Sequence, residues 1–301
     1  MKTIIIAGGS GFLGQVLETF FTKKQYAVKI LTRNPKRNND IYWNAKDLGD
    51  WTNQLENTVA VINLTGKSVD CRYTEENKKE IYKSRIDSTN LLGLAINLCE
   101  QPPKVWFNSS TATIYRHSVD KQMTEENGEI GDNFSMSIAK SWETAFYEVM
   151  TPKTRKIALR TSIVMGKKGG AISPLKALTK LGLGGKQGSG KQKVSWIHEL
   201  DFARAIDFLL ENVNLEGNFN LSVKNPTDNK TLMQNMRQKL GVPFGISHPV
   251  WLLKFGATLI GTETELVLKS RNVIPKRLID NGFEFRFDTI EVALDDLLKN
   301  K

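Results

Sequence analysis

At 301 residues the chain is long enough for one or two domains around a large buried core. Its 40% apolar and 25% charged content excludes a disordered or fibrous class, and no apolar run approaches the ~20 residues that span a bilayer. The net charge of +10 suits small anions; the lysines are scattered along the chain and no basic helix gathers them, so neither nucleic acid nor membrane is expected as a partner.

The first predicted element is a strand, Thr3-Ile4-Ile5-Ile6, running into Ala7-Gly8-Gly9-Ser10-Gly11-Phe12-Leu13-Gly14 and then a helix with apolar positions Phe12, Val16, Leu17 and Phe20. Strand, glycine turn and helix in this order form a dinucleotide-binding pattern. Gly8 allows the tight turn, Gly11 the close approach of a pyrophosphate, and Gly14 the packing of helix on strand. Ser10, Phe12 and Leu13 share the turn, whose helix N-terminus offers unpaired amides to phosphate. Met1-Lys2-Thr3-Ile4 leads straight into this motif, which leaves no room for a signal peptide, and Cys71 and Cys99 make no disulfide or metal pattern. A cytoplasmic protein is expected.

A second strand, Ala27–Thr32, ends at Arg33. An NAD site places a carboxylate here for the ribose hydroxyls, whereas a guanidinium pairs with a 2′-phosphate, so Arg33, with Arg37 close behind, points to NADP. The β-branched run Val59–Leu64 reads as a buried parallel strand closing in Thr65-Gly66, and Leu64, Thr65 and Gly66 are expected along the cofactor. A helix comes next over Glu75–Leu98, then the strand Val105–Asn108, the hydroxyl cluster Ser109-Ser110-Thr111, a polar loop over 118–133 and a helix over Ser135–Val149. After the strand Lys156–Thr161 the chain turns Gly- and Lys-rich over 166–195. Its centre, 184–193, reads either as a phosphate-binding segment or as a flexible lid. Asp201 is expected to cap a helix over Phe202–Leu210, and Gly217–Leu221 is one more strand. The alternation predicts a doubly wound parallel sheet of Rossmann type over 1–165, with about 197–224, and a smaller capping lobe from 166–196 and 225–301.

Four segments carry a resemblance: Gly8–Gly14, Ser109–Tyr115, Leu159–Gly166 and Trp196–Asp201. Over essentially its whole length the chain resembles the extended and atypical short-chain dehydrogenase/reductases. Within them it is similar to the sugar-nucleotide epimerase-like group, through Gly185–Gln192 running into Ser195–His198 and through the tail Val273–Phe285, which resembles a C-terminal domain of unassigned function. The resemblance implies NADP(H) chemistry at a small substrate, with Ser162 near the cofactor, Thr111 at the catalytic Ser/Thr position, and Arg72, Gln192, Trp196 and His198 toward the substrate.

One departure stands out. Members of the superfamily pair tyrosine and lysine as Tyr-x-x-x-Lys on the helix after the hydroxyl strand. Here Lys140 is present, suited to bind the ribose, but Met136 stands four residues earlier and has no proton to give. The one Tyr-x-x-x-Lys in the chain, Tyr42–Lys46, precedes the Val59 strand and is coincidental. Tyr73, Tyr115, His117 and His198 are the candidate substitutes, with packing or structural roles as the alternatives for Tyr115, His117, Trp196 and His198. The functional expectation is an NADP-dependent oxidoreductase or epimerase acting on a small anionic sugar-nucleotide or carbonyl substrate, as a monomer or homodimer. The alternative is a catalytically inactive NADP(H)-binding redox sensor.

Overall fold

The structure, a computed structural model, describes residues 1–260 and 265–299. Seven strands form one sheet: β1 (Thr3–Ala7), β2 (Ala27–Thr32), β3 (Asp40–Tyr42), β4 (Ala60–Asn63), β5 (Val105–Thr111), β6 (Arg155–Thr161) and, late in the chain, Gly217–Leu221. In space the order is the last strand, β6, β5, β4, β1, β2, β3, and every pairing is parallel. From β1 the chain first builds outward through β2 and β3, then crosses back to β4. The strand ends therefore diverge between β1 and β4, and the crevice that opens there is where such sheets receive ligands.

Burial on both faces explains the continuous apolar runs. Ile4 and Ile6 pack with Leu17 and Phe21 of α1 (Phe12–Lys23), while Ile5 and Ala7 point the other way, into a core with Trp51, Leu92, Trp106 and Phe146. On that second face α2 (Glu75–Leu98) lies against α3 (Phe134–Glu148), and the Trp142 indole donates to Thr89 Oγ1 at 3.0 Å.

Beyond β6 the chain builds a second core. Short strands β7 (Ile163–Gly166), β8 (Gly169–Gly170), β9 (Lys193–Val194) and β10 (Trp196–His198), with α4 (Ile172–Leu178), precede α5 (Glu199–Glu211) and β11 (Gly217–Leu221). Then come β12 (Thr227–Asp228), α6 (Asn229–Leu240), α7 (Val250–Ile260), α8 (Glu265–Leu268), α9 (Lys276–Asp280) and α10 (Ile290–Leu298). Met165, Trp196, Leu232, Met236, Leu294 and Leu297 are among the residues of this core. Trp196 is fully buried there, the packing alternative for that residue.

Two expectations need correction. Asp201 does not cap α5: the cap is His198, whose Nδ1 accepts from the Leu200 amide at 3.1 Å. Asp201, fully buried in the first turn, instead receives the amides of Arg286 and Phe287 at 3.1 and 2.8 Å and so moors the C-terminal segment. The phosphate-binding alternative for segment 184–193 is disfavoured, because six of its amides are bonded within the protein, among them those of Lys191 and Lys193 to Ser189 and Ser270 hydroxyls. Gly185 donates to Ile246 O, Gln187 to Asn229 Oδ1, Gly188 to His248 O and Gly190 to Gln187 O. Gln192, 4% exposed, braces the segment by donating to Gln187 O at 2.8 Å.

His198 stacks on Phe287 with ring centroids 3.7 Å apart, and its Nε2 lies 3.3 Å from Asp296, itself 3.1 Å from Lys167. Burial pushes its pKa down to about 4 despite Asp296 and Asp201. The unfolded imidazole titrates at 6.5, so between these values the unfolded chain binds the extra proton. Stability is therefore predicted to fall as pH drops from 6.5 to 4, by up to about 3 kcal/mol. In urea unfolding across this range His198→Asn, which keeps an acceptor for Leu200, should flatten the slope; an unchanged slope would assign the acid sensitivity elsewhere.

Candidate functional site

The glycine turn after β1 is built to leave amides unspent. Gly8 sits at φ +71°, and a Cβ on it would lie 2.9–3.0 Å from Thr65 Oγ1, Cα and N. Only glycine lets the β1 and β4 loops meet this closely. Gly14 is likewise excluded from bearing a side chain, since its Cβ would fall 2.1 Å from Gly9 O. Gly11, the N-cap of α1, differs: a Cβ there meets nothing within 4 Å, and no side chain caps the helix. Its first-turn amides and dipole end thus face an open space suited to an anion. Ser10 is exposed beside it.

Phe12 and Leu13 belong to the packing of this turn. A Cβ on Gly166, Gly169 or Gly170 would lie 2.3–3.3 Å from the Phe12 ring, so the β7–β8 hairpin lies directly on that ring, and Leu13 packs on the main core. Arg33, at the end of β2, is exposed and makes no ion pair among the described residues. Arg37 is committed to Glu18 and Asp40 at 2.6 and 2.8 Å. Of the two arginines, Arg33 is the one available to a ligand.

Opposite the glycines, β4 ends at Asn63, whose register partner on β5 is Asn108, and both are buried. Asn63 Nδ2 donates to Asn108 Oδ1 at 2.7 Å, and Asn63 Oδ1 accepts from the Thr65 amide at 3.0 Å. With the Leu64 amide bonded to Ala7 O, this fixes the Leu64–Gly66 loop against Gly8. Thr65 Oγ1 is buried there without a hydrogen-bond partner among the described residues. A buried hydroxyl without a partner beside an open anion-ready turn is the mark of a ligand contact.

Thr111 closes β5 half-buried; its Oγ1 accepts from the Thr113 amide at 3.1 Å, and no acceptor among the described residues takes its proton. Tyr115, in contrast, is 1% exposed. Its hydroxyl donates to Asn220 Oδ1 at 2.9 Å and accepts from Arg160 Nη1 at 2.8 Å. Arg160 is in turn held by Glu143 at 2.7 and 2.8 Å, and Glu143 also accepts from Ser110 at 2.6 Å. This network ties β5, β6, β11 and α3 together, and the tyrosine is spent in it. Tyr115 is framework. His117 is exposed, with Nδ1 accepting from the Ser270 amide at 2.9 Å, and Ser162 donates to Leu221 O at 2.7 Å. His198, as the cap of α5, is structural too. Tyr42 lies exposed on edge strand β3, two strands from β1 on the side away from β4.

On α3 the Met136 thioether fills the place of a side chain at Gly131, 2.0 Å from a Cβ built there, and Lys140 pairs with exposed Asp132 at 2.7 Å. One residue before Met136, Ser135 donates to Glu265 Oε1 at 2.6 Å, and Glu265 pairs with Lys269 at 2.9 Å. Burial pulls the Glu265 carboxyl upward, but Ser135 and Lys269 outweigh it and hold the group below its ordinary range. Arg271 stands two residues on, 8% exposed, and burial lowers both its pKa and that of Lys269. Arg85 reaches this region from α2, under Gly66, donating to Lys67 O and Ile81 O at 3.0 and 2.9 Å while its guanidinium lies over Trp142. Burial drives it down to about 10.

Tyr73, edge-on to Phe134 at 4.9 Å, lies within electrostatic reach of both Arg85 and Arg271; Arg72 beside it is exposed. Ser135, Glu265, Lys269, Arg271 and Arg85 escape sequence reading because they come from three distant parts of the chain. The one local signal was the unbroken run from Ser270-Arg271-Asn272 into the tail segment at Val273.

Comparison with known proteins fits this architecture. The family model described as NAD dependent epimerase/dehydratase matches residues 4–222, and a domain of unknown function, DUF1731, matches residues 248–297. The epimerase family protein SA0724 of Staphylococcus aureus is 32% identical over 99% of this chain and 100% of its own length. YfhF of Bacillus subtilis is 30% identical over 99% of this chain and 98% of its own. Among solved structures, the human epimerase family protein SDR39U1 (isoform 2) with NADPH superposes with a TM-score of 0.90 at 28% identity, covering 99% of this chain and 100% of that one. A glycine turn opening on an anion-ready helix, a hydroxyl strand beside it and a match over nearly the whole length agree: the chain belongs to the NAD dependent epimerase/dehydratase family.

Proposed function

We propose that the protein is an NADP(H)-dependent oxidoreductase of the short-chain dehydrogenase type, acting on a small carbonyl or sugar-nucleotide substrate that carries an anionic group. The observation that carries the substrate reading is Arg85, half-buried beside the loop after β4, whose hydrogen-bond partners among the described residues are the backbone carbonyls of Lys67 and Ile81. A desolvated guanidinium with no carboxylate partner among the described residues is costly unless a ligand supplies the counter-charge.

The residues present fit the dinucleotide. Gly11 leaves room for the pyrophosphate at the amides of α1, and among the described residues the Thr65 hydroxyl has no partner and Arg33 no ion pair, so that Arg33 can take a 2′-phosphate. The similar human protein, crystallised with NADPH, supports the same cofactor. When bound, the nicotinamide supplies or accepts a hydride. Thr111 then orients the reacting oxygen through its unspent proton. Tyr73 gives or takes the proton in place of the missing helix tyrosine, and negative charge developing on either oxygen faces Arg85 and Arg271. Lys140, whose pairing with Asp132 is solvent-exposed, is available to exchange that partner for a ribose hydroxyl.

Calorimetric titration tests the cofactor assignment. NADPH should bind more tightly than NADH, and Arg33→Ala should cost about tenfold or more for NADPH while leaving NADH nearly unchanged. Equal affinities in the parent protein would refute the role of Arg33.

A screen of NADPH oxidation against carboxylated and phosphorylated carbonyl compounds tests the reaction. On any substrate found, Tyr73→Phe should lower kcat by about a hundredfold or more with NADPH affinity intact. Arg85→Gln should act mainly on KM. Cofactor binding with no turnover across the screen would favour the redox-sensing alternative, which rests on Met136 at the usual tyrosine position.

A further inference from the structure

The segments 166–196 and 229–260 hold eleven lysines and arginines and not one aspartate or glutamate. They account for the whole of the net +10, leaving the rest of the chain near neutral. What is scattered in sequence is gathered by the fold. The 182–188 stretch runs beside 246–248 through four backbone hydrogen bonds, and Lys186 and Lys230 flank Gly190. Lys167 and Lys239 are answered by Asp296 and Asp295 of α10. Lys176, Lys180, Lys186 and Lys230 make no ion pair among the described residues.

The same segments carry large apolar side chains turned to solvent. Leu181 is 74% exposed, Phe244 63%, Ile246 55%, Val250 43%, Trp251 69% and Phe255 61%. Trp251 and Phe255 are one turn apart on one face of α7, and Phe244 packs beside Gly182. Apolar surface in such concentration, rimmed by lysine, marks an interaction site.

We propose that this lobe docks onto an anionic membrane surface, with the α7 face and the neighbouring loop residues entering the headgroup layer and the lysines pairing with lipid phosphates. No described helix is long and apolar enough to cross a membrane, so the contact is interfacial. A second copy of the chain is disfavoured as the occupant, because it would bring the same two basic segments of both chains together. Nucleic acid is disfavoured because half of the exposed apolar set, Leu181, Ile246 and Val250, is aliphatic and offers bases no stacking surface. The single arginine of these two segments, Arg237, is moreover turned inward to Gly184 O at 2.6 Å.

The test is co-flotation of the full chain with vesicles of equimolar phosphatidylglycerol and phosphatidylcholine, against vesicles of phosphatidylcholine alone. The chain has six tryptophans, and Trp251 is the exposed one; the other five are buried, so a blue shift of emission on adding vesicles reports this face. Binding is expected only with the anionic vesicles, to weaken with salt, and to drop at least tenfold in Trp251→Ser/Phe255→Ser with thermal unfolding unchanged. Lys180→Gln/Lys186→Gln should weaken it about fivefold per lysine removed, and tests the face independently if the first variant folds poorly. The proposal is overturned by absent flotation, or by binding that neither pair of substitutions alters. Tighter binding to a single-stranded oligonucleotide than to vesicles overturns it too, as does a homodimer that the Trp251→Ser/Phe255→Ser variant dissolves.

Discussion

The contact between Gly8 and Thr65 is the constraint on which the site depends. Two loops from neighbouring parallel strands meet there with no space for a single carbon atom between them. The glycine turn is thereby held open, its amides directed away from the sheet. The opposing loop is fixed from below by Asn63 and Asn108, whose amide groups bond to each other across two strands. A side chain at position 8 would separate the two loops and, with them, the two halves of any ligand that bridges β1 and β4.

Much of this was legible from the residues themselves. A strand buried on both faces reads as a continuous apolar run, so β1, β2 and β4 stood out, and the glycine spacing marked the turn and helix after β1. Helix α2 was legible because its apolar positions recur at helical spacing from Ile81 to Ile96; its cap, Thr74, came only with the structure. The short strands β3 and β7 to β10 were not. Two to four residues give no periodicity, and these strands exist only because tertiary partners supply their hydrogen bonds. The start of α5 was misread for a related reason: Asp201 has the chemistry of a cap, but its carboxylate is taken by backbone amides some 85 residues away, an association no local pattern encodes.

The site divides along the same line. The side proposed for the dinucleotide is assembled from local motifs, so its residues could be put forward from the sequence. The other side gathers Arg85 from one helix, Ser135 from the next, and Glu265, Lys269 and Arg271 from the C-terminal region. Meanwhile the aromatic and histidine candidates nearest in sequence to the hydroxyl strand, Tyr115 and His117, are held by Arg160 and by the Ser270 amide. Buried tyrosine, glutamate and arginine satisfy one another there and rigidify the framework. Residue type alone does not distinguish a tyrosine spent in such a network from one that faces a cleft.

The strand-like segment that delivers Arg271 is pinned along its length. The Ser195 hydroxyl donates to Arg271 O and accepts from the Val273 amide, the Arg271 amide donates to Lys193 O, and Ser118 and Met123 donate to Ser270 O and Asn272 O. All of these partners precede it in the chain by some seventy residues or more. During synthesis from the N-terminus, the nucleotide crevice is therefore complete while the opposite wall has yet to be made. The nascent chain passes through a stage with a finished floor and an open side, in which exposed polar groups of residues 118–123 and 193–195 wait for a partner. Closure is a late, long-range event, and the charged half of the pocket comes into being as the fold is sealed.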